Sequence, residues 1–159
     1  MDFLPTLISI VSVSLAILGA FVTLFQWRGA NRMKRAEIVN GLIGLIRTDE
    51  YIHAVLQIID YDESWYTDAF HNGKNNDLER QVDRTFSYFS YICYMRKKKL
   101  LSTSEFSFFE YDLMRILRNS DSSEYLHFIY SFSSNNDAAC PFKYLIEYGF
   151  EKGVLNWKT

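Results

Sequence analysis

Residues 87–117 read SYFSYICYMRKKKLLSTSEFSFFEYDLMRIL, which is two helices and the turn between them. Phe86, Phe89, Ile92 and Cys93 recur at helical spacing and form one apolar stripe flanked by tyrosines. This spacing predicts a helix over Asp77–Lys99. Its last residues, Arg96 to Lys99, are basic, as the negative end of a helix dipole favours. Ser102 and Glu105 then form S-x-x-E ahead of an apolar run, the pattern of a capping box. The helix it opens is predicted over Thr103–Arg118, with Phe106, Phe109, Leu113, Ile116 and Leu117 on its buried face.

The flanking sequence extends the same pattern. Arg28 to Ile46 keeps helical periodicity through Ile38, Leu42, Leu45 and Ile46. A second helix is expected over Thr48–Ile59, with Asp49 and Glu50 in its first turn and Val55, Leu56, Ile58 and Ile59 on its apolar face. Tyr61 to Asn76 reads as an ordered loop or short helix that ends in the turn-forming HNGKNN. A shorter helix is expected over Ser122–Phe132. A last one should begin near Pro141, a favoured first helical position, and end near Gly149 or Gly153. No stretch alternates strongly enough to suggest a sheet. The expected fold class is all-α: one N-terminal transmembrane helix over residues 1–27, then a cytoplasmic bundle of five or six helices over 28–159.

The N-terminal assignment rests on FLPTLISIVSVSLAILGAFVTLFQW, Phe3 to Trp27, which holds no charged residue. At about 1.5 Å of rise per residue, a helix of this length spans a hydrocarbon core of roughly 30 Å. Pro5 falls in the first turn, and Trp27 at the expected interfacial level. A cleaved signal peptide would carry its basic residues before a shorter apolar stretch. Here Asp2 precedes the run, and Arg28, Arg32, Lys34 and Arg35 follow it. This order predicts an uncleaved anchor with a short N-terminus outside and the rest inside, the basic cluster lying on anionic lipid headgroups. Within the run, Ser9, Ser12, Ala16, Gly19, Thr23 and Gln26 are spaced 3-4-3-4-3. A stripe of small and polar residues lets helix backbones approach closely in lipid, so it predicts a homo-oligomer whose helices pack along it or turn it toward a pore.

Composition excludes several classes. An apolar fraction of 48% with 17% aromatic residues is not that of a disordered chain. A net charge of -2 gives no global basic field, and DNA is not an expected partner. The two cysteines, Cys93 and Cys140, have no metal-ligand spacing and read as reduced thiols. The seven glycines are scattered and form no phosphate-cradling loop. Asp60, Asp62, Glu63 and His71 match no closed zinc or calcium pattern. No metal and no cofactor is expected.

One pair suggests chemistry. Arg47 and His53 stand in RTDEYIH. An arginine followed four to six residues later by histidine resembles the signature of helical RNA-cutting domains of the HEPN type. There, arginine stabilises a phosphorane-like charge and histidine transfers protons. Thr48 stands where that family more typically has asparagine. On one continuous helix a six-residue offset turns the two side chains about 120° apart, so they converge only where a helix begins between them.

Together with the anchor, the KRAE stretch at Lys34 to Glu37, the 87–117 run and PFKYLIEYG at Pro141 to Gly149, the chain resembles small membrane-anchored helical proteins encoded beside bacterial antiphage systems. In architecture it is similar to the membrane accessory proteins of type VI-B, RNA-targeting CRISPR systems. These pair an N-terminal anchor with a divergent HEPN-like domain and are linked to membrane pores. The resemblance implies an oligomeric inner-membrane effector of antiviral defence, triggered by a defence-system partner protein or by RNA. Two other readings stand beside it: a membrane-tethered ribonuclease using Arg47 and His53, and a non-enzymatic anchored adaptor.

Overall fold

The computed structural model describes residues 3–61, 64–66 and 76–157; of residues 3–14, 16 and 76 it describes the helical backbone alone. Among the described residues there are six helices and no strand: α1 (Phe3–Thr48), α2 (Glu50–Tyr61), α3 (Asn76–Lys97), α4 (Thr103–Arg118), α5 (Ser120–Asn135) and α6 (Lys143–Glu151). The chain divides into two compact units, Met1–Leu42 and Ile43–Thr159.

The first unit is helical from Phe3 onward, and α1 continues without a break through Trp27 and Arg28. Its described apolar side chains from Leu15 to Trp27 are exposed, including Leu15 at 64% and Phe25 at 69%. Among the described residues no helix is long and apolar enough to cross a membrane. The first half of the run expected to do so lies outside the described side chains, and with it Ser9, Ser12 and Ala16.

The second unit is a helical bundle built around α3, which packs against α2, α4 and α6. Val82, Phe86, Phe89 and Cys93 repeat at spacings of four, three and four, so one face of α3 is continuously apolar. Phe86, Phe89 and Ile92 are fully buried. Burying each such side chain contributes about 1.5–3 kcal/mol. Phe86 meets Phe142 edge-on at 5.8 Å and Tyr125 at 6.0 Å. These aromatic contacts join α3 to α5 and to the start of α6.

The turn after α3 forms much as its sequence predicts, with one correction. The helix stops at Lys97, because Lys99 adopts a left-handed backbone, φ 57°. That conformation ends a helix and is usually given to glycine. Ser102 caps α4 as expected: its Oγ accepts from the Glu105 N–H at 3.3 Å, and Glu105 Oε2 accepts from the Ser102 N–H at 2.7 Å.

Three other helices have limits that differ from expectation. Helix α2 starts at Glu50, and Asp49 stands before it as a cap: Oδ1 accepts from the N–H groups of Tyr51 and Ile52. Helix α5 runs from Ser120 to Asn135, longer than Ser122–Phe132 at both ends. Asn119 explains the early start, since its Oδ1 accepts from the Ser122 N–H at 2.8 Å. The last helix begins at Lys143 rather than at Pro141, because the Pro141 carbonyl is turned to Ser90 Oγ and Phe142 is buried.

At the C-terminal end, Gly149 allows the chain to fold back onto α6. A Cβ there would lie 2.5 Å from Leu155 Cδ1 and 3.0 Å from Leu117 Cδ2. Gly153 makes the reversal with φ 68°. Val154 and Leu155 then donate to the Gly149 carbonyl at 3.1 and 3.3 Å.

Candidate functional site

The residues singled out for chemistry lie at the joint between α1 and α2. Arg47 is in the last turn of α1 and His53 in the second turn of α2. A helix does begin between them, which removes the 120° constraint of a single continuous helix. Both residues are exposed. His53 Nε2 lies 3.4 Å from Gln57 Nε2. No hydrogen bond or ion pair joins Arg47 to His53 among the described residues. Thr48, the residue after the arginine, donates its hydroxyl to the Gly44 carbonyl at 2.9 Å.

Asp49 is the residue that organises this joint, and sequence reading placed it only as a first-turn acid. Its N–H closes the last turn of α1 on the Leu45 carbonyl at 2.9 Å, and its Oδ1 caps α2. Its other oxygen, Oδ2, is held by Arg84 of α3. The Asp49 side chain is only 6% exposed, so the ion pair is partly withdrawn from water. Arg84 also lies over the Tyr51 ring, 5.1 Å from its centroid. Nothing in the sequence near Asp49 points to Arg84, because the two are 35 residues apart.

Beside this pair, Tyr51, Asp77, Arg80, Gln81 and Arg84 line a surface cleft of about 440 Å³. Asp77 and Arg80, one turn apart on α3, form an ion pair beside it. A second groove, of about 480 Å³, runs beside Tyr130, Cys140, Lys143 and Phe150.

The other candidate residues fall as follows. Arg28, Arg32 and Lys34 are exposed, and Arg35 is half-buried. Gly19, Thr23 and Gln26 are exposed, and the Thr23 hydroxyl donates to the Gly19 carbonyl at 2.8 Å. Asp60 is engaged by Arg115 of α4, which also bonds Asp112 and the Leu56 carbonyl. Asp62, Glu63 and His71 lie outside the described residues. Among the described residues no group of three or more His, Cys, Asp or Glu side chains is placed to hold a metal ion.

The thiols are not activated. Burial pushes Cys93 up to about 12, and Cys140 is also raised, mainly by burial. A thiol held protonated is a poor nucleophile.

No known protein family, curated protein or solved structure matches the chain.

Proposed function

We propose that this protein is an oligomeric, membrane-anchored effector of bacterial antiviral defence that perturbs the inner membrane when triggered. The observation that carries the reading is the girdle of exposed apolar side chains on α1. Leu15, Leu18, Phe21, Val22, Leu24, Phe25 and Trp27 are each more than half exposed. They lie on nearly every side of the helix. Apolar surface of this extent needs cover, and a helix apolar all round finds it in lipid or among other helices.

The uncharged run from Phe3 to Trp27, followed by Arg28, Arg32, Lys34 and Arg35, supports lipid and an inward-facing C-terminal unit. The heptad of small and polar residues supports self-association. The antiviral setting, the HEPN-like character of the bundle and the pore rest on the resemblance described above.

The test is the mass of the detergent-solubilised protein, by native mass spectrometry or light scattering, before and after Ser12→Leu and Gly19→Leu. A discrete oligomer of several subunits that the paired substitution disperses is the expected result. A wild-type monomer would remove the pore, because one helix per subunit cannot enclose a water-filled hole.

The helix break between Arg47 and His53 favours a second reading, a membrane-tethered ribonuclease. On that reading Arg47→Ala and His53→Ala each eliminate RNA cleavage while oligomer mass and helicity stay unchanged. Cleavage by the double variant at the wild-type rate would refute it.

A further inference from the structure

The chain after α6 doubles back and ends against α5. Gly153 makes the reversal, Leu155 is buried, and the Trp157 indole Nε1 donates to Ser123 Oγ of α5 at 3.1 Å. Three further rings meet Trp157 there, with centroids 5.1 Å away for His127, 6.0 Å for Tyr130 and 5.3 Å for Phe150. Phe150 stands edge-on to the indole at 82°, and His127 and Tyr130 are inclined to it at 46° and 42°. The rings therefore form a floor with walls rather than a stack. They line a pocket of about 340 Å³, completed by Ser131, Ser134 and Asn135 from the same face of α5. Among the described residues no Lys, Arg, Asp or Glu lines it. Other aromatic rings of the bundle are already matched with cations. Tyr51, Tyr94, Phe106, Tyr111, Tyr144 and Tyr148 each carry an Arg or Lys of the chain itself, 5.0–5.9 Å from the ring centroid. No cation of the described residues lies over Tyr130, Phe150 or Trp157.

We propose that this pocket binds the quaternary ammonium group of a small molecule with a neutral polar arm, of the choline type. The negative faces of aromatic rings attract a cation within about 6 Å of the centroid, tryptophan most strongly. A quaternary ammonium has no N–H to satisfy, so a lining without carboxylates does not penalise it, and its methyl groups pack on the ring faces. Walls set at an angle fit a compact, rounded cation, whereas a planar ligand needs parallel faces. Tyr130 and Phe150, each 38% exposed, leave the pocket open to solvent. Ser131, Ser134 and Asn135 offer hydroxyl and amide partners to the polar arm. The volume lies at the lower end of the range of small-molecule sites, as a ligand of this size requires. The neighbouring groove holds Lys143 and Glu147, and neither reaches the lining of this pocket. The site lies wholly within the second unit and does not depend on the membrane reading.

Two sources could present this chemistry, a free solute or a phosphocholine lipid headgroup. The lining favours the free solute, because it offers no Lys or Arg to a phosphate. The experiment is isothermal titration of the full chain, in a maltoside detergent that carries no ammonium group. The probes are choline, its uncharged carbon isostere dimethylbutanol, ammonium chloride and phosphocholine, each repeated with Trp157→Phe and Trp157→Leu. The expected result is saturable binding of choline, binding of the isostere weaker by about tenfold or more, and no binding of ammonium. Choline affinity should fall from wild type through Trp157→Phe to Trp157→Leu, by about tenfold in the last. Trp157-dependent binding of phosphocholine without choline assigns the same rings to a lipid headgroup. Equal binding of choline and its isostere, choline binding that Trp157→Leu leaves unchanged, or no Trp157-dependent binding of choline or phosphocholine, overturns the proposal. Circular dichroism of Trp157→Leu, expected to match wild type, separates loss of the site from loss of the fold, and the comparison of choline with its isostere needs no variant.

Discussion

Helices α1 and α3 are both rich in aliphatic and aromatic residues, and their side chains meet opposite environments. On α1, Leu15, Leu18, Phe21 and Phe25 are exposed; on α3, Phe86, Phe89 and Ile92 are completely buried. The helices differ in angular distribution as well as in hydrophobicity, α1 being the more apolar. The apolar residues of α3 form one stripe, which α2, α4 and α6 cover together with Tyr125 of α5. Those of α1 encircle the helix, and no single neighbour covers a full circumference. A stripe predicts a core the chain makes for itself. A girdle leaves apolar surface that the described residues do not cover.

Substitution can break this contrast. Phe89→Ala should destabilise the bundle by about 3–5 kcal/mol, through lost burial and the cavity left behind. Phe21→Ala, on the exposed girdle, should change bundle unfolding by less than about 0.5 kcal/mol. Thermal unfolding of the full chain in detergent, followed by circular dichroism, compares the two. Similar losses would mean that the girdle belongs to the same cooperative core.

A smaller effect separates two glycines. At Gly149 an added Cβ would press on Leu155 and Leu117, so Gly149→Ala should cost about 1–3 kcal/mol. At Gly41 nothing lies within 4 Å, and Gly41→Ala should be neutral or gain up to about 1 kcal/mol from helix propensity. Chemical denaturation midpoints decide this, and equal shifts would remove the close packing at Gly149.

The smallest effect is with pH. Hydrogen bonds from Lys152 and then Tyr148 hold the Glu110 carboxyl below its ordinary value of 4.5. Arg96 does the same for Glu151. An acid whose pKa is lowered by folding binds its proton more weakly in the folded state. Its contribution is therefore fully present above about pH 4.5 and lost as pH falls below it. Both carboxylates are partly exposed, so the loss should be shallow. Unfolding midpoints between pH 6 and pH 3 should fall less in Glu110→Gln than in wild type. An equal fall would place the acid sensitivity elsewhere.

Much of the bundle was legible because it rests on local rules. The capping box at Ser102 and Glu105 needs only four consecutive residues, and it forms as read. The α3 stripe needs only a period. The errors came where a distant partner overrode a local preference. Pro141 favours a helix start, yet Phe142 is buried against Phe86 and Tyr125, and the helix begins after it. Asn119 falls between the expected helices Thr103–Arg118 and Ser122–Phe132, yet it caps α5, accepts from Trp65 Nε1 and donates to the Ile59 carbonyl. At the candidate site, Arg47 and His53 were visible as a pair. Asp49 and Arg84 were not, since an ion pair across 35 residues leaves no local trace.

The sequence by itself determined the helical class, the stripe that becomes the core, the capping box, and an uncharged apolar run followed by a basic cluster. Each is a property of residues within a few turns of one another. The tertiary structure alone decided which helices cover α3, that Arg84 holds Asp49 at the α1–α2 joint, and that Arg80 and Arg84 share a cleft with Tyr51. Those pairings depend on where the chain returns in space, because long-range contacts are selected by the packing of the whole core.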